Sequence, residues 1–389
     1  MEKDSLIYVA GGTGLVGSAI IRRLKEKGYK NIISTYRKRA PVDEQVEWYK
    51  VDLTDSQQVK EFFKKVRPDY VFLAAAKVGG IWANSVYRAD FIYENLLIQN
   101  NVIYQSYRTG VKKLLFLGST CIYPKECPQP IKEEYLLTAP LEYTNEPYAI
   151  AKIAGIKMCE SFNLQYGTNF ISAMPTNLYG YYDNFDLEKS HVLPALLRKM
   201  HLGKLLEEEK WDEIRGDLDA NPLEGISGAV TKDKILKVLD KYGVRKRGDK
   251  VEVEIWGTGR PKREFLWSDD MADACIFLME NVDFIDVVRL MYPDITEKEL
   301  KKTYMIREIR NTHINVGTGK DISIRDLAYL IKEIIGFGGE LYFNTSKPDG
   351  TMRKVTDVSK LHSLGWRHSV NLEEGIKKLY SWYLKTIRG

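Results

Sequence analysis

The 389-residue sequence predicts an α/β chain: a doubly wound parallel sheet with a smaller, mostly C-terminal α/β domain. Three observations carry that reading. An apolar run, a glycine-rich turn and a helical pattern occupy the first 28 residues. Strand-length apolar runs then alternate with helical patterns as far as residue 173. After a long charged stretch, a strand-helix pattern returns at residues 313–336 (HINVGTGKDISIRDLAYLIKEIIG).

Residues 6–10 (LIYVA) read as the first strand, followed by Gly11, Gly12, Thr13, Gly14, Leu15, Val16 and Gly17 and then the helical SAIIRRLKEKG. A GxxGxxG turn alone is weak. Between a strand and a helix it becomes a strong signal, because its glycines let the backbone approach a pyrophosphate at the helix N-terminus. The second strand, residues 31–36, ends in Arg37, Lys38 and Arg39. An NAD site would carry Asp or Glu there for the ribose 2′-hydroxyl, whereas a basic cluster favours the 2′-phosphate of NADP(H). The competing reading is a solvated turn. Asp52 and Leu53, after the next strand, could contact adenine. The fourth strand, residues 70–76 (YVFLAAA), ends in small residues that would let a nicotinamide ribose pass. Helix 90–110, strand 113–118, helix 148–166 and strand 169–173 complete the alternation, so ligands belong beyond the carboxyl ends of the strands.

One stretch carries the chemistry. LLFLGSTCIYPK reads as a buried strand emerging into a loop at Ser119, and EPYAIAK places Tyr148 and Lys152 four apart on a helix. An ammonium on the same face is expected to draw the phenol below its ordinary pKa of ~10. Ser119 adds a hydroxyl that could hold a carbonyl oxygen beside that phenol. The three form a proton-transfer set for interconverting C=O and CH–OH. A lone YxxxK is usually a solvated helix face and a strand-end serine usually a cap; the upstream glycine turn gives the set its weight.

Composition bounds the alternatives. A net charge of +5, from 58 basic and 53 acidic residues, is too mild and too evenly spread for a nucleic-acid partner. Cysteines 121, 127, 159 and 275 fit neither a disulfide framework nor a metal site, which points to a reducing compartment. The N-terminus enters a strand without a signal-peptide pattern, and no apolar run nears the ~20 residues that span a bilayer. The expectation is a soluble, cytoplasmic protein with no membrane partner.

On its glycine turn, Asp52-Leu53, Ser119, Tyr148 and Lys152, in that order, the chain resembles the extended short-chain dehydrogenase/reductase family. Further segments, among them LAAAKVGGIWAN, NEPYAIAKIAGIKMCES, MPTNLYG, SHVLPALLRK, WGTGRPKREFL, HINVGTG and SKPDGT, resemble its nucleotide-sugar epimerase-reductases. The resemblance implies a Rossmann sheet, NADP(H), and GDP-4-keto-6-deoxy-mannose as substrate. It also implies Cys121 as the base and His191 as the acid that invert C3 and C5, before Ser119, Tyr148 and Lys152 support reduction at C4. With Cys121 two residues after Ser119, an extended backbone would point both side chains the same way. Cofactor contacts implied include Ala75, Pro175, Asn177, Leu178 and His191 besides the glycine turn, Arg37, Asp52, Leu53, Tyr148 and Lys152. Substrate contacts fall on Lys199, Trp256, Arg263 and Asp349.

The order of elements places the nucleotide-binding domain at 1–180, completed by about 264–281 and 312–336, and the substrate domain at 181–263 and 337–389. The resemblance implies a homodimer through helices 90–110 and 148–166. There are departures. Lys199 stands where the family often has arginine, so the planar fork is lost. The GGTG turn lacks an arginine found in some members. Two stretches, 205–250 and 281–310, are longer than usual and read either as solvent-facing decoration or as a lid or subunit contact. Two other functions compete: a cofactor-retaining 4-epimerase or 4,6-dehydratase, and a catalytically silent NADP-binding protein.

Overall fold

The computed structural model describes residues 1–37, 43, 45–300 and 308–387, with the side chains of Ile81 and Trp82 left aside. Lys38 and Arg39, and part of the helical segment expected at 295–306, lie outside the described residues. The chain divides into two units. The first holds Met1–Leu178, Ser268–Gly319 and Thr356–Ser369; the second holds Tyr179–Trp267, Lys320–Val355 and Val370–Gly389.

The first unit is built on β1 (Ile7–Ala10), β2 (Ile32–Tyr36), β3 (Glu47–Lys50), β4 (Tyr70–Leu73), β5 (Lys113–Leu117), β6 (Phe170–Pro175) and a later strand, Ile314–Val316. They form one sheet in the order β3, β2, β1, β4, β5, β6, Ile314–Val316, with every pairing parallel. Helices cover both faces of such a sheet, so its central strands are apolar throughout rather than alternating. Ile7, Tyr8, Val9 and Ala10 are all fully buried, and each large side chain of this kind contributes roughly 1.5–3 kcal/mol of transfer free energy. Strand order reverses between β1 and β4, which opens a crevice at their carboxyl ends.

In the second unit, strand Lys250–Trp256 lies between Val244–Arg247, antiparallel, and Glu340–Asn344, parallel. Lys262–Trp267 is flanked by Asp321–Ser323 and Arg353–Lys354. Helices Val192–Glu207 and Ile324–Ile335 pack together over this unit's core.

Two expectations need correction. Helix Ile324–Ile335, assigned from its sequence to the nucleotide-binding sheet, belongs to the second unit, where Leu327, Ala328, Ile331 and Ile335 are buried. Of residues 312–336 the first unit keeps only those up to Gly319, with the strand Ile314–Val316, and it also takes Thr356–Ser369, which the order of elements assigns to the substrate domain. The segment 205–250 is not solvent-facing decoration. Its helices Trp211–Ala220 and Lys232–Lys241 bury Ile214, Leu218, Ile235, Val238 and Leu239 in the second unit's core. The stretch 281–310 likewise contributes Phe284, Val288, Ile295 and Ile309 to a small cluster of its own.

Candidate active site

The glycine turn leaves β1 at the sheet's point of reversal. Gly11 has φ +87, and a side chain there would lie 2.8 Å from the backbone of Ala75, the residue expected beside a cofactor ribose. Gly17 is held tighter still, since a Cβ there would lie 2.1 Å from the Gly11 carbonyl oxygen. Gly12 abuts Ser34, whose hydroxyl donates to the Val9 carbonyl at 2.6 Å. Gly14 is different: it caps helix Leu15–Glu26 with no side-chain bond, and a Cβ there would meet nothing nearer than 3.5 Å. That helix has no acidic residue in its first turn. Free N–H groups and the positive end of the helix dipole therefore face open space, which fits an anionic dinucleotide. Thr13 lies exposed in the same turn, and Leu15 and Val16 begin the helix.

Arg37 is exposed just past β2 and lies 3.9 Å from Glu94. Asp52 accepts from the Thr54 amide and hydroxyl at 3.0 and 2.7 Å, while the Leu53 carbonyl accepts from Asn101 at 2.9 Å. Pro175 ends β6, and Asn177 and Leu178 follow it.

At the carboxyl end of β5 the backbone departs from expectation. Thr120–Ile122 forms a 3-10 turn rather than an extended segment, with Ser119 as its cap accepting from the Cys121 amide at 3.4 Å. Helix Glu146–Tyr166 passes beside this turn. Lys152, buried, donates to the Leu117 carbonyl at 2.8 Å and so ties the helix to the strand end. Its ammonium lies 5.7 Å from the Tyr148 ring centroid and 4.9 Å from that of Phe116. Phe91 packs edge-on against Tyr148 at 6.3 Å. Cys121 is buried in the 3-10 turn, which packs against helix Glu146–Tyr166. Ser119, Cys121, Tyr148 and Lys152 thus meet in one place.

The electrostatics reverse one expectation. Desolvation, reinforced by the Cys121 charge, raises the Tyr148 phenol above its ordinary value rather than lowering it. Desolvation also lowers Lys152 to about 8, only partly offset by Cys121. The ammonium spends its strongest interaction on a carbonyl, leaving the phenol protonated. That carbonyl carries no side-chain signal and could not be read from sequence.

The second unit holds the remaining residues. His191 caps helix Val192–Glu207; partial desolvation holds its pKa below the ordinary histidine range, although the side chain keeps solvent contact. Lys199 on that helix donates to the Glu254 carbonyl at 3.2 Å, and burial, with Arg245 nearby, lowers it to about 8. Trp256, two residues on, is 65% exposed beneath the Lys347 ammonium at 5.1 Å. Asp349 accepts from the Thr258 amide and hydroxyl at 2.8 and 2.7 Å, which holds its carboxyl below the usual range. Arg263 donates to the Lys262 and Thr351 carbonyls at 2.8 and 2.5 Å. Trp256, Arg263 and Asp349 therefore share one corner, where Gly257 abuts Asp349 too closely for a side chain.

Among the described residues no group of His, Cys, Asp and Glu side chains could hold a metal ion, and no helix is long and apolar enough to cross a membrane. A Rossmann sheet with a Ser/Tyr/Lys set at the end of β5 defines a dinucleotide-dependent dehydrogenase class of enzyme. The chain belongs to the NAD dependent epimerase/dehydratase family, which it matches over residues 7–220 and 227–291. It is 45% identical to GDP-L-fucose synthase 1 of Arabidopsis thaliana over 386 residues, 99% of this chain and 95% of that one. It is 43% identical to GDP-L-fucose synthase of Escherichia coli (strain K12), covering 97% and 96%. Among solved structures it resembles a GDP-D-glycero-L-gluco-heptose synthase from Campylobacter jejuni, solved in the presence of NADPH. That pair shares 44% identity over 99% of both chains, with a TM-score of 0.84.

Proposed function

We propose that the chain converts GDP-4-keto-6-deoxy-D-mannose to GDP-L-fucose, by epimerisation at C3 and C5 and NADPH-dependent reduction at C4. It is an NADP-dependent nucleotide-sugar epimerase/reductase. The observation that carries the finer reading is that the turn holding Ser119 and Cys121 packs against the helix of Tyr148 and Lys152. A plain reductase has no use for a thiol there.

The 4-ketone acidifies the protons at C3 and C5. Cys121, as thiolate, removes each proton while Ser119 and Tyr148 donate hydrogen bonds to the C4 oxygen of the resulting enolate. A phenol raised by desolvation stays protonated through this stage, which is what an oxyanion partner requires. His191 returns a proton to the opposite face of the sugar ring. Bound NADPH supplies the hydride for C4. Tyr148 then gives its proton to the C4 oxygen, and Lys152 stabilises the phenolate left behind. Gly11, Gly12, Gly14 and Gly17 admit the diphosphate, and Arg37 leaves Glu94 for the 2′-phosphate. Lys199 and Arg263 face the diphosphate of the sugar nucleotide, Trp256 packs against it, and Asp349 reaches the guanine N–H groups.

A homodimer accompanies this reading. Helices Arg88–Thr109 and Glu146–Tyr166 expose Tyr93, Tyr104 and Ile150, and a shallow groove between them is lined by Arg88, Ile92, Pro147 and Ile150. One observation favours a second substrate: the 44% identity to the heptose enzyme falls within the 43–45% shared with the two fucose synthases named above. A GDP-4-keto-heptose is then the ligand of the same machinery.

The test is purified protein with NADPH and either ketone. Turnover of the 6-deoxy sugar should dominate, vanish in Tyr148→Phe, and lose deuterium incorporation at C3 and C5 in Cys121→Ser. Faster turnover of the heptose would transfer the assignment to that substrate. A sugar product formed with no NADPH loss would replace both readings by a redox-neutral one.

A further inference from the structure

We propose that Tyr123, held by His313 and Asn315, is the positioning residue that fixes the far end of the Ser119–Cys121 turn; this rests on the catalytic reading of that turn given above. The turn's own hydrogen bonds are long. The Ile122 amide reaches the Ser119 carbonyl at 3.3 Å, the Tyr123 amide reaches Thr120 at 3.5 Å, and the Cys121 amide reaches the Ser119 hydroxyl at 3.4 Å. A turn closed this weakly takes its geometry from its anchors. At the near end the anchor is Lys152 on the Leu117 carbonyl.

At the far end the anchor is the Tyr123 hydroxyl, buried, 2.5 Å from Asn315 Oδ1 and 3.0 Å from His313 Nε2. The proton positions follow from the partners. Asn315 Nδ2 donates to the Ile131 and Asp357 carbonyls at 3.0 and 3.3 Å, so its Oδ1 is the acceptor. The phenol therefore donates its hydrogen bond to Asn315 Oδ1, and the imidazole must donate from Nε2 to the phenol oxygen. His313 Nδ1 is then a bare lone pair, and it is buried with no hydrogen-bond partner. A second proton there would be a buried donor without an acceptor, so the imidazole stays neutral. The Asn315 backbone N–H donates to the Glu133 carboxylate at 2.9 Å, and Lys360 holds the carbonyls of Asn311 and His313. Every group in the network has one arrangement, fastened to strand Ile314–Val316. That strand pairs with β6, which lies beside β5, so the same sheet holds both ends of the turn.

The role differs from packing. Tyr123→Phe keeps the ring and removes only the oxygen. Its expected effect is a fall in kcat of about tenfold or more, from misplacement of the thiol and hydroxyl. NADP+ affinity should stay within about twofold, because the glycine turn lies at another strand end. His313→Gln keeps a donor for the phenol oxygen and should retain most of the activity, whereas His313→Leu should behave as Tyr123→Phe does. An independent readout needs no sugar: the rate at which iodoacetamide alkylates Cys121 in the full-length protein, followed on its peptide by mass spectrometry, should change several-fold in Tyr123→Phe and in His313→Leu alone. Wild-type kcat with wild-type Cys121 reactivity in Tyr123→Phe overturns the proposal. So does parallel loss of turnover, cofactor binding and melting temperature, which marks a structural role. If wild-type protein turns over neither ketone, the functional reading fails while the alkylation rate still decides this one.

Discussion

Lys152 shows how one buried cation is priced by its surroundings. Desolvation lowers its pKa to about 8, from an unfolded value near 10.4. In that interval the unfolded chain binds more protons, so this residue's contribution to stability rises with pH from about 8 to 10.4. Below pH 8 the full penalty applies, on the order of 3 kcal/mol, while a variant without the ammonium leaves the Leu117 carbonyl unpaired at a cost of about 1 kcal/mol. Lys152→Met should therefore be more stable than wild type by about 2 kcal/mol at pH 7. The advantage should shrink towards pH 10.4 in urea titrations, while turnover is lost. Tyr148 moves the other way from the sequence expectation for the same cause. Helix spacing puts phenol and ammonium on one face, but it does not report that a main-chain carbonyl takes the ammonium.

The elements that carry these residues have their own tolerances. In the glycine turn, Gly17→Ala would drive a Cβ into the Gly11 carbonyl, whereas Gly14→Ala would meet ordinary contact distances. NADPH fluorescence titration and thermal melting should separate them: weakened binding and a lower melting temperature for Gly17→Ala, an unchanged melting temperature for Gly14→Ala. In helix Val192–Glu207, Arg198 is fully buried and pairs with Asp217 through Nε and Nη2 at 3.0 and 2.7 Å, and Tyr383 donates to the same carboxylate. Asp217 lies in the long segment 205–250 and Tyr383 on helix Leu372–Ile387, so one carboxylate joins three elements. Asp217→Ala leaves a buried guanidinium uncompensated and should cost about 3–5 kcal/mol in chemical denaturation. The charged surface of that segment hid this. Its sequence is rich in Lys, Asp and Glu, and only the packed helices reveal which carboxylate faces inward.

For the molecule as a whole, the exposed apolar residues of Arg88–Thr109 and Glu146–Tyr166 set a further expectation. Ile150→Glu should shift sedimentation towards the monomer if those helices meet their copies, and leave it unchanged otherwise. Much of the nucleotide-binding unit was legible beforehand, because a parallel sheet covered on both faces writes itself as continuous apolar runs and its turn demands glycine. Those are local constraints, carried by neighbouring residues. Ser119, Tyr148 and Lys152 could be named for the same reason. What only the tertiary structure decided is set by contacts between residues far apart in the chain. The assignment of helix Ile324–Ile335, the inward role of segment 205–250, the 3-10 turn at Cys121 and the raised phenol all depend on which groups lose water on packing. Desolvation is a property of the assembled fold, and no spacing along the sequence encodes it.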